Sequence, residues 1–451
     1  MIDSWHSAER VAILGAGISG LSLGWLLSKL GKRATLFEAS DTVGGLSRTF
    51  NWHGVPCDLA PHRLYSRNPE VIGLIEELVP LREHRRNSRI LMKGVVIQDP
   101  INPIELLMRF PAKTGAALVW GFLNRPRLPE DSFENLALNR YGRGLYDFFF
   151  APYTKKMFGV PPAEISVTWG REKLRSSGLL DAIRRSSKTF FSTFHYPAHG
   201  GYGQIAEGMC RAMDQDLRLR TRVTGLETRG DRITGVRYRD AEGEHAYPCD
   251  RVFATIPATG LGKMLGRSFE LRYRSIDLVF LHVRRPRVMP HHWVYFGDGD
   301  VVINRMAEFR NFHPDATPSR STVLCAEVTV ETDSPVEDVL AALTRYGLLD
   351  RSDVDDALVV NERYGYPIYD RGFEQQAAAA DAFFSGFANL HRVGRNAEFR
   401  HIELDEDLES ALRVTRSVYG HAEFLRPSPA ADHELAPALL GADEAVEPGT
   451  P

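Results

Sequence analysis

Residues 11–38 read VAILGAGISGLSLGWLLSKLGKRATLFE, and no other stretch limits the fold as much. Val11–Leu14 is a short apolar run that stops at glycine, the pattern of a strand buried on both faces. Residues 18–30 then alternate apolar and small groups at helical spacing, and KRATLFEA reads as the next strand. Between the first strand and the helix stand Gly15, Gly17 and Gly20, in G-x-G-x-x-G spacing. The first glycine permits a tight turn, the second lets backbone approach a pyrophosphate, and the third lets helix and strand pack closely. The positive end of the helix dipole would face the phosphates. Glu38 closes the second strand where an acid accepts hydrogen bonds from ribose hydroxyls. Strand, turn, helix and acid together predict a dinucleotide site.

At 451 residues the chain exceeds one ordinary core, so two intertwined domains are expected. Its 43% hydrophobic and 25% charged residues are those of a soluble globular protein. The net charge of -3, with no long basic block, argues against nucleic-acid binding. Cys57, Cys210, Cys249 and Cys325 are scattered without CxxC spacing, which fits neither zinc nor a disulfide framework and suits a reducing compartment. MIDSWHSAER lacks the apolar core of a signal peptide. The apolar run 11–27 is interrupted by four glycines, so the motif explains it better than an integral membrane segment does. These features predict a cytoplasmic enzyme. HHW at 291–293 has no third ligand at suitable spacing, so no metal site is expected. LREHRRNSR (81–89) reads as a solvated face, and Lys155 and Lys156 as exposed helix lysines.

Further along, residues 217–257 alternate with turn signals at RGDR and AEGE, predicting a strand, a hairpin and a return strand. Residues 387–424 read as a strand, a glycine turn and a closing helix. Residues 67–194 look mainly helical and aromatic-rich, and 270–384 mix strands with one acidic helix. The division expected is a nucleotide domain from 1–66, 195–269 and 385–424, a substrate domain from 67–194 and 270–384, and a flexible tail over 425–451.

DTVGGLSRTF follows the acid directly and resembles the GGxxR extension of the FAD-dependent amine oxidase superfamily. CDLAPHRLYSRNPEV, FENLALNRYGRGLYDFFFAPYTKKMFGVPPAEIS, YPAHGGYGQIAEGM, LRTRVTGLE and VGRNAEF are similar to further segments of that superfamily, in the branch of protoporphyrinogen oxidase and UDP-galactopyranose mutase. The resemblance covers residues 10–420 and implies an α/β fold: a Rossmann-like (GR2-type) FAD-binding domain with an inserted α+β substrate domain. It implies that Gly44 and Gly45 pass close to a non-covalent FAD, that Arg48 supports its diphosphate, and that backbone near Val223 reads the adenine. Gly394 and Arg395 would turn beside the flavin, and His62 would lie near its face as a donor or proton relay.

Two reactions follow from the resemblance. The first is oxidation of a small molecule, at a C–H or amine, by hydride transfer to flavin N5. The second is a redox-neutral rearrangement of a nucleotide-linked sugar, similar to that of the mutases. Arg305 looks like the mutases' clamp for a diphosphate, while Lys173 in WGREK stands where their pattern resembles an arginine. Phe399 and His401 occupy places where the mutases present tyrosines. Tyr366 and Tyr369, in YGYPIYDRGF, are further candidates to reach the substrate. With cations at Arg305 and Lys173, a carboxylated or phosphorylated substrate is expected. The helix opening with Glu403, Asp405, Glu406, Asp407 and Glu409 either carries ordinary first-turn acids or lowers the flavin potential. The sequence leaves the substrate, the electron acceptor and the oligomeric state open.

Overall fold

The computed structural model describes residues 9–174, 192–315, 318, 320–420 and 423–424. Strand β1 (Val11–Leu14) is wholly buried, and it lies between β2 (Ala34–Phe37) and strand Arg251–Ala254, both parallel to it. Asp216–Arg218 and Leu390–Arg392 extend the sheet on either side, giving five parallel strands. A strand flanked on both edges and covered on both faces has no solvent side, hence the unbroken apolar run. Helix α1 (Ile18–Lys29) crosses from β1 to β2 and buries Leu21, Leu23, Trp25, Leu26 and Leu27. The closing helix Leu404–Tyr419 packs on α1.

An antiparallel three-stranded sheet, Arg222–Arg229, Arg232–Arg239 and Glu244–Pro248, stands between the third and fourth chain segments of the parallel sheet. A seven-stranded mixed sheet forms the second large layer, in the order Val354–Ile368, Arg272–Val283, Thr322–Val328, Ile303–Glu308, Trp293–Phe296, Ser88–Met92 and Val95–Gln98. The parallel sheet thus draws on chain 11–37, 216–254 and 390–392, and the mixed sheet on 88–98 and 272–368.

Two local expectations are corrected. Residues 67–194 contribute strands as well as helices: Leu81–Arg85 pairs with Thr193–Pro197, and the hairpin 88–98 completes the edge of the mixed sheet. The stretch 81–89 is therefore not merely a solvated face. Arg86 within it is half-buried with a side chain only 8% exposed, ion-paired to Asp99 at 2.6 Å, with its guanidinium over the Trp293 ring. Short strands rich in arginine carry no alternation strong enough to declare themselves. The tail 425–451 lies outside the described residues.

Candidate functional site

The turn after β1 is built from close backbone contacts. Gly15 has φ +99°, and a Cβ on Gly20 would fall 1.9 Å from the Gly15 carbonyl oxygen. Gly17 caps helix α1 without a side chain, so no side-chain oxygen takes up its first N–H groups. Against this turn lies the second glycine pair: Gly44 N–H donates to the Ala16 carbonyl at 2.8 Å, and a Cβ on Gly45 would lie 3.2 Å from Gly17 Cα. Together the two turns make a floor of bare backbone at a helix N-terminus. Glu38 is fixed beside it, one oxygen accepting from Ala16 N–H and the other from Ser40 N–H, each at 2.8 Å. Each oxygen keeps a lone pair for a further donor. Arg48 donates to the Gly45 carbonyl at 3.1 Å and pairs with Glu362 on the mixed sheet, a partner the sequence did not announce. Val223 lies on the antiparallel sheet at a bulge, where the register shifts before Gly225.

The closing turn meets the same helix start. Gly394 has φ +93°, and a Cβ there would fall 2.0 Å from Ser19 Oγ. Arg395 N–H donates to Asp407 Oδ1 at 3.0 Å, and its guanidinium Nε donates to the Ile402 carbonyl at 2.8 Å. Burial raises the Asp407 carboxyl to about 6, although Arg395 and Ser19 pull it down. The acids at the head of the closing helix divide their work. Glu403 and Glu406 form a capping box, and Glu403 also reaches Arg63 at 3.4 Å. Asp405 is raised to about 7 by burial and by its neighbours Glu403 and Glu406.

Beyond this floor lies a half-buried polar cluster around one fully buried acid. Arg305, on strand Ile303–Glu308, grips Glu327 with two donors, Nε at 3.2 Å, and Glu327 is 0% exposed. The Arg305 guanidinium also lies 5.8 Å from the Tyr295 ring centre, and Tyr295 meets Tyr153 edge-on at 6.3 Å. Burial holds the Tyr153, Tyr295 and Tyr366 phenols above their ordinary range, so all three remain donors at neutral pH. Tyr366 stands 5.5 Å from the His401 ring. Tyr369 and Phe399 instead pack together with Phe373, and the Tyr369 hydroxyl accepts from His401 N–H. Phe399 takes φ +53° at that corner.

His62 places Nε2 at 2.9 Å from the Leu46 carbonyl and 2.8 Å from the Leu59 carbonyl, so Nε2 carries the proton. Its ring stacks on Tyr202 at 4.9 Å. Burial, then Arg305, lower its pKa to about 4, and the imidazole is neutral at pH 7. Lys173 ends helix Val167–Lys173, and its side chain lies outside the described residues. Lys156 corrects an expectation: it is 4% exposed, not on an open helix face. Its Nζ donates to the Asp298 carbonyl at 2.8 Å and lies 5.9 Å from the Tyr153 ring centre; burial lowers it to about 7. The π-helical turn Tyr146–Phe150 just before it offsets the helix in a way no regular helical wheel anticipates. Glu327 is the functional candidate missed, and Asp407, named only among the acids of the closing helix, takes an unforeseen place between Ser19 and the Gly394 turn. Glu327 did leave a signal, a lone acid inside the apolar run TVLCAEVTV, where a buried charge requires a partner.

A family profile described as flavin containing amine oxidoreductase matches residues 18–348. The chain belongs to this family. Among its relatives is protoporphyrinogen oxidase 2 of Arabidopsis thaliana, 25% identical over 59% of this chain and 62% of that one. Another is the protoporphyrinogen oxidase of Nicotiana tabacum, 26% identical over 50% of this chain. This chain spans between half and two-thirds of the length of those two enzymes. UDP-galactopyranose mutase of Mycoplasma pneumoniae is 21% identical over 91% of this chain and 96% of its own. In structure the chain is similar to a reduced UDP-galactopyranose mutase, with TM-score 0.80 and 21% identity over 92% of this chain and 97% of that one. At that identity the likeness establishes the fold, a parallel Rossmann-like sheet with a mixed substrate sheet. As a member of this flavoprotein family the chain is an enzyme, and no described helix is long and apolar enough to cross a membrane.

Proposed function

We propose that this protein is an FAD-dependent oxidoreductase that oxidises a small anionic molecule at a C–H or amine. The backbone floor fits a non-covalent FAD: side chains are absent where Gly17 and Gly45 approach, and a helix N-terminus faces the gap. Gly15, Gly17, Gly20, Gly44 and Gly45 would cradle the diphosphate, Glu38 the ribose, and Val223 backbone the adenine, with Arg48, Gly394 and Arg395 completing the wall. When bound, FAD supplies the two-electron acceptor for the substrate.

The observation that carries the substrate class is the Arg305–Glu327 pair within the tyrosine cluster. A two-donor grip holds the guanidinium in one orientation, and the protonated phenols of Tyr153, Tyr295 and Tyr366 add donors around it. The guanidinium edge that Glu327 leaves free, together with those phenol donors, suits a carboxylate or phosphate. His62, neutral and pinned by two carbonyls through Nε2, keeps Nδ1 as an acceptor.

A second reading is a redox-neutral mutase of a nucleotide-linked sugar, favoured by likeness to a mutase over nearly the full length of both chains. Anaerobic addition of candidate substrates to the oxidised protein separates the two. Loss of flavin absorbance on mixing supports oxidation. Turnover that requires prior dithionite reduction and consumes no electrons supports the mutase.

A further inference from the structure

Helix Ala112–Leu123 is inside out. Its inner face is Gly115, Leu118 and Gly121, and it crosses helix Phe133–Leu145 backbone to backbone. A Cβ on Gly121 would fall 2.4 Å from Gly144 N, and one on Gly144 2.4 Å from the Ala117 carbonyl. With glycine filling the contact, the large apolar side chains stand outside: Trp120 is 70% and Leu123 74% exposed, and Val119 is exposed beside them. The preceding helix, Pro103–Arg109, adds Ile104, Leu107 and Met108, the last 81% exposed. A soluble helix shows the opposite pattern, so a patch of this size marks a contact surface.

Charge indicates what the surface contacts. Between Pro103 and Leu128 the chain carries Arg109, Lys113, Arg125 and Arg127 against the single acid Glu105, while the whole chain is at -3. Two copies meeting through this face would set like charges opposite each other, which opposes self-association. Arg109 also lines a cavity of about 690 Å³ beside the patch, together with Arg89, Gln98, Glu105 and His291. Within it Glu105 is engaged by Gln98 N–H at 2.8 Å and faces Arg109 at 3.6 Å.

We propose that helices Pro103–Arg109 and Ala112–Leu123 dock the enzyme on an anionic phospholipid surface, with Trp120, Leu123 and Met108 entering the acyl boundary and Arg109 and Arg89 meeting lipid phosphates. Apolar insertion beside basic residues is the physics of an interfacial helix, which lies on a bilayer without spanning it. The test is flotation of the full flavin-loaded protein with phosphatidylcholine vesicles, with and without phosphatidylglycerol. Wild type floats with the anionic vesicles and at least about tenfold less with the neutral ones. The double variant W120E/L123E loses flotation by about tenfold or more while keeping its flavin spectrum and Tm. R109E weakens binding to the anionic vesicles alone. Absence of wild-type flotation overturns the proposal, and so does flotation that these variants leave unchanged. So does sedimentation showing a wild-type dimer that W120E/L123E dissolves without any vesicle binding. Inorganic phosphate that displaces the protein more than sodium chloride at matched ionic strength assigns the cavity to free anions and overturns the lipid part.

Discussion

Ser19 Oγ donates to Asp407 Oδ1 at 2.9 Å, joining the first turn of α1 to the closing helix across 388 residues of chain. The same oxygen accepts from Arg395 N–H, so one carboxylate fixes both turns that flank the proposed flavin site. Asp407→Ala strands two donors and costs about 2 kcal/mol in urea unfolding. It also weakens FAD binding, read by quenching of flavin fluorescence. Asp407→Asn keeps Oδ1 and restores both. Equal losses in the two variants contradict this role.

Gly17 and Gly20 separate folding from cofactor binding. A Cβ on Gly20 would meet the Gly15 carbonyl at 1.9 Å, so Gly20→Ala is expected to fail to accumulate as folded protein. A Cβ on Gly17 has only Gly45 Cα at 3.9 Å, so Gly17→Ala folds with an unchanged circular dichroism melt. Its methyl nevertheless occupies the approach to the diphosphate, and FAD affinity falls about a hundredfold. Full FAD affinity in Gly17→Ala places the cofactor elsewhere.

Arg305 and Glu327 are tested separately for stability and for substrate. Glu327→Ala leaves a buried guanidinium without its partner and destabilises by about 3–5 kcal/mol. Arg305→Lys keeps the charge but loses the fork, so KM rises at least about tenfold while the flavin spectrum stays the same. An unchanged KM removes Arg305 from the substrate pocket.

Stability should depend on pH through Asp58. This carboxyl is 1% exposed and raised to about 6 by burial, despite hydrogen bonds from Thr49, Tyr196 and Tyr202. A carboxyl raised in the folded state favours folding while protonated, below its unfolded value. That contribution is lost as pH rises through about 6. The shift corresponds to about 3 kcal/mol between pH 4 and pH 8. Asp58→Asn removes it, so the gap in unfolding free energy between variant and wild type should widen in the variant's favour from pH 5 to pH 8. A constant gap contradicts the assignment.

The nucleotide half was legible because each of its residues is constrained by its neighbours in sequence. Gly15, Gly17, Gly20, Glu38, Gly44 and Gly45 all lie within one βαβ unit and its extension. The Gly394 turn was legible through resemblance, but its lock was not, because Ser19 and Asp407 meet only in three dimensions. The substrate cluster was half visible. Arg305 drew attention as a cation, whereas Glu327 and Tyr295 reach it from separate strands of the mixed sheet. Lys156 was misplaced because a π turn precedes its helix, and the hairpin 88–98 was missed because its strands, SRILM and VVIQ, are too short to show alternation.

A diffraction map of the protein saturated with FAD tests the cofactor site most directly. The account predicts one non-covalent FAD, its diphosphate against Gly17 and Gly45 and its adenosine ribose on Glu38. A map with that groove vacant, or filled by a nicotinamide dinucleotide, contradicts it.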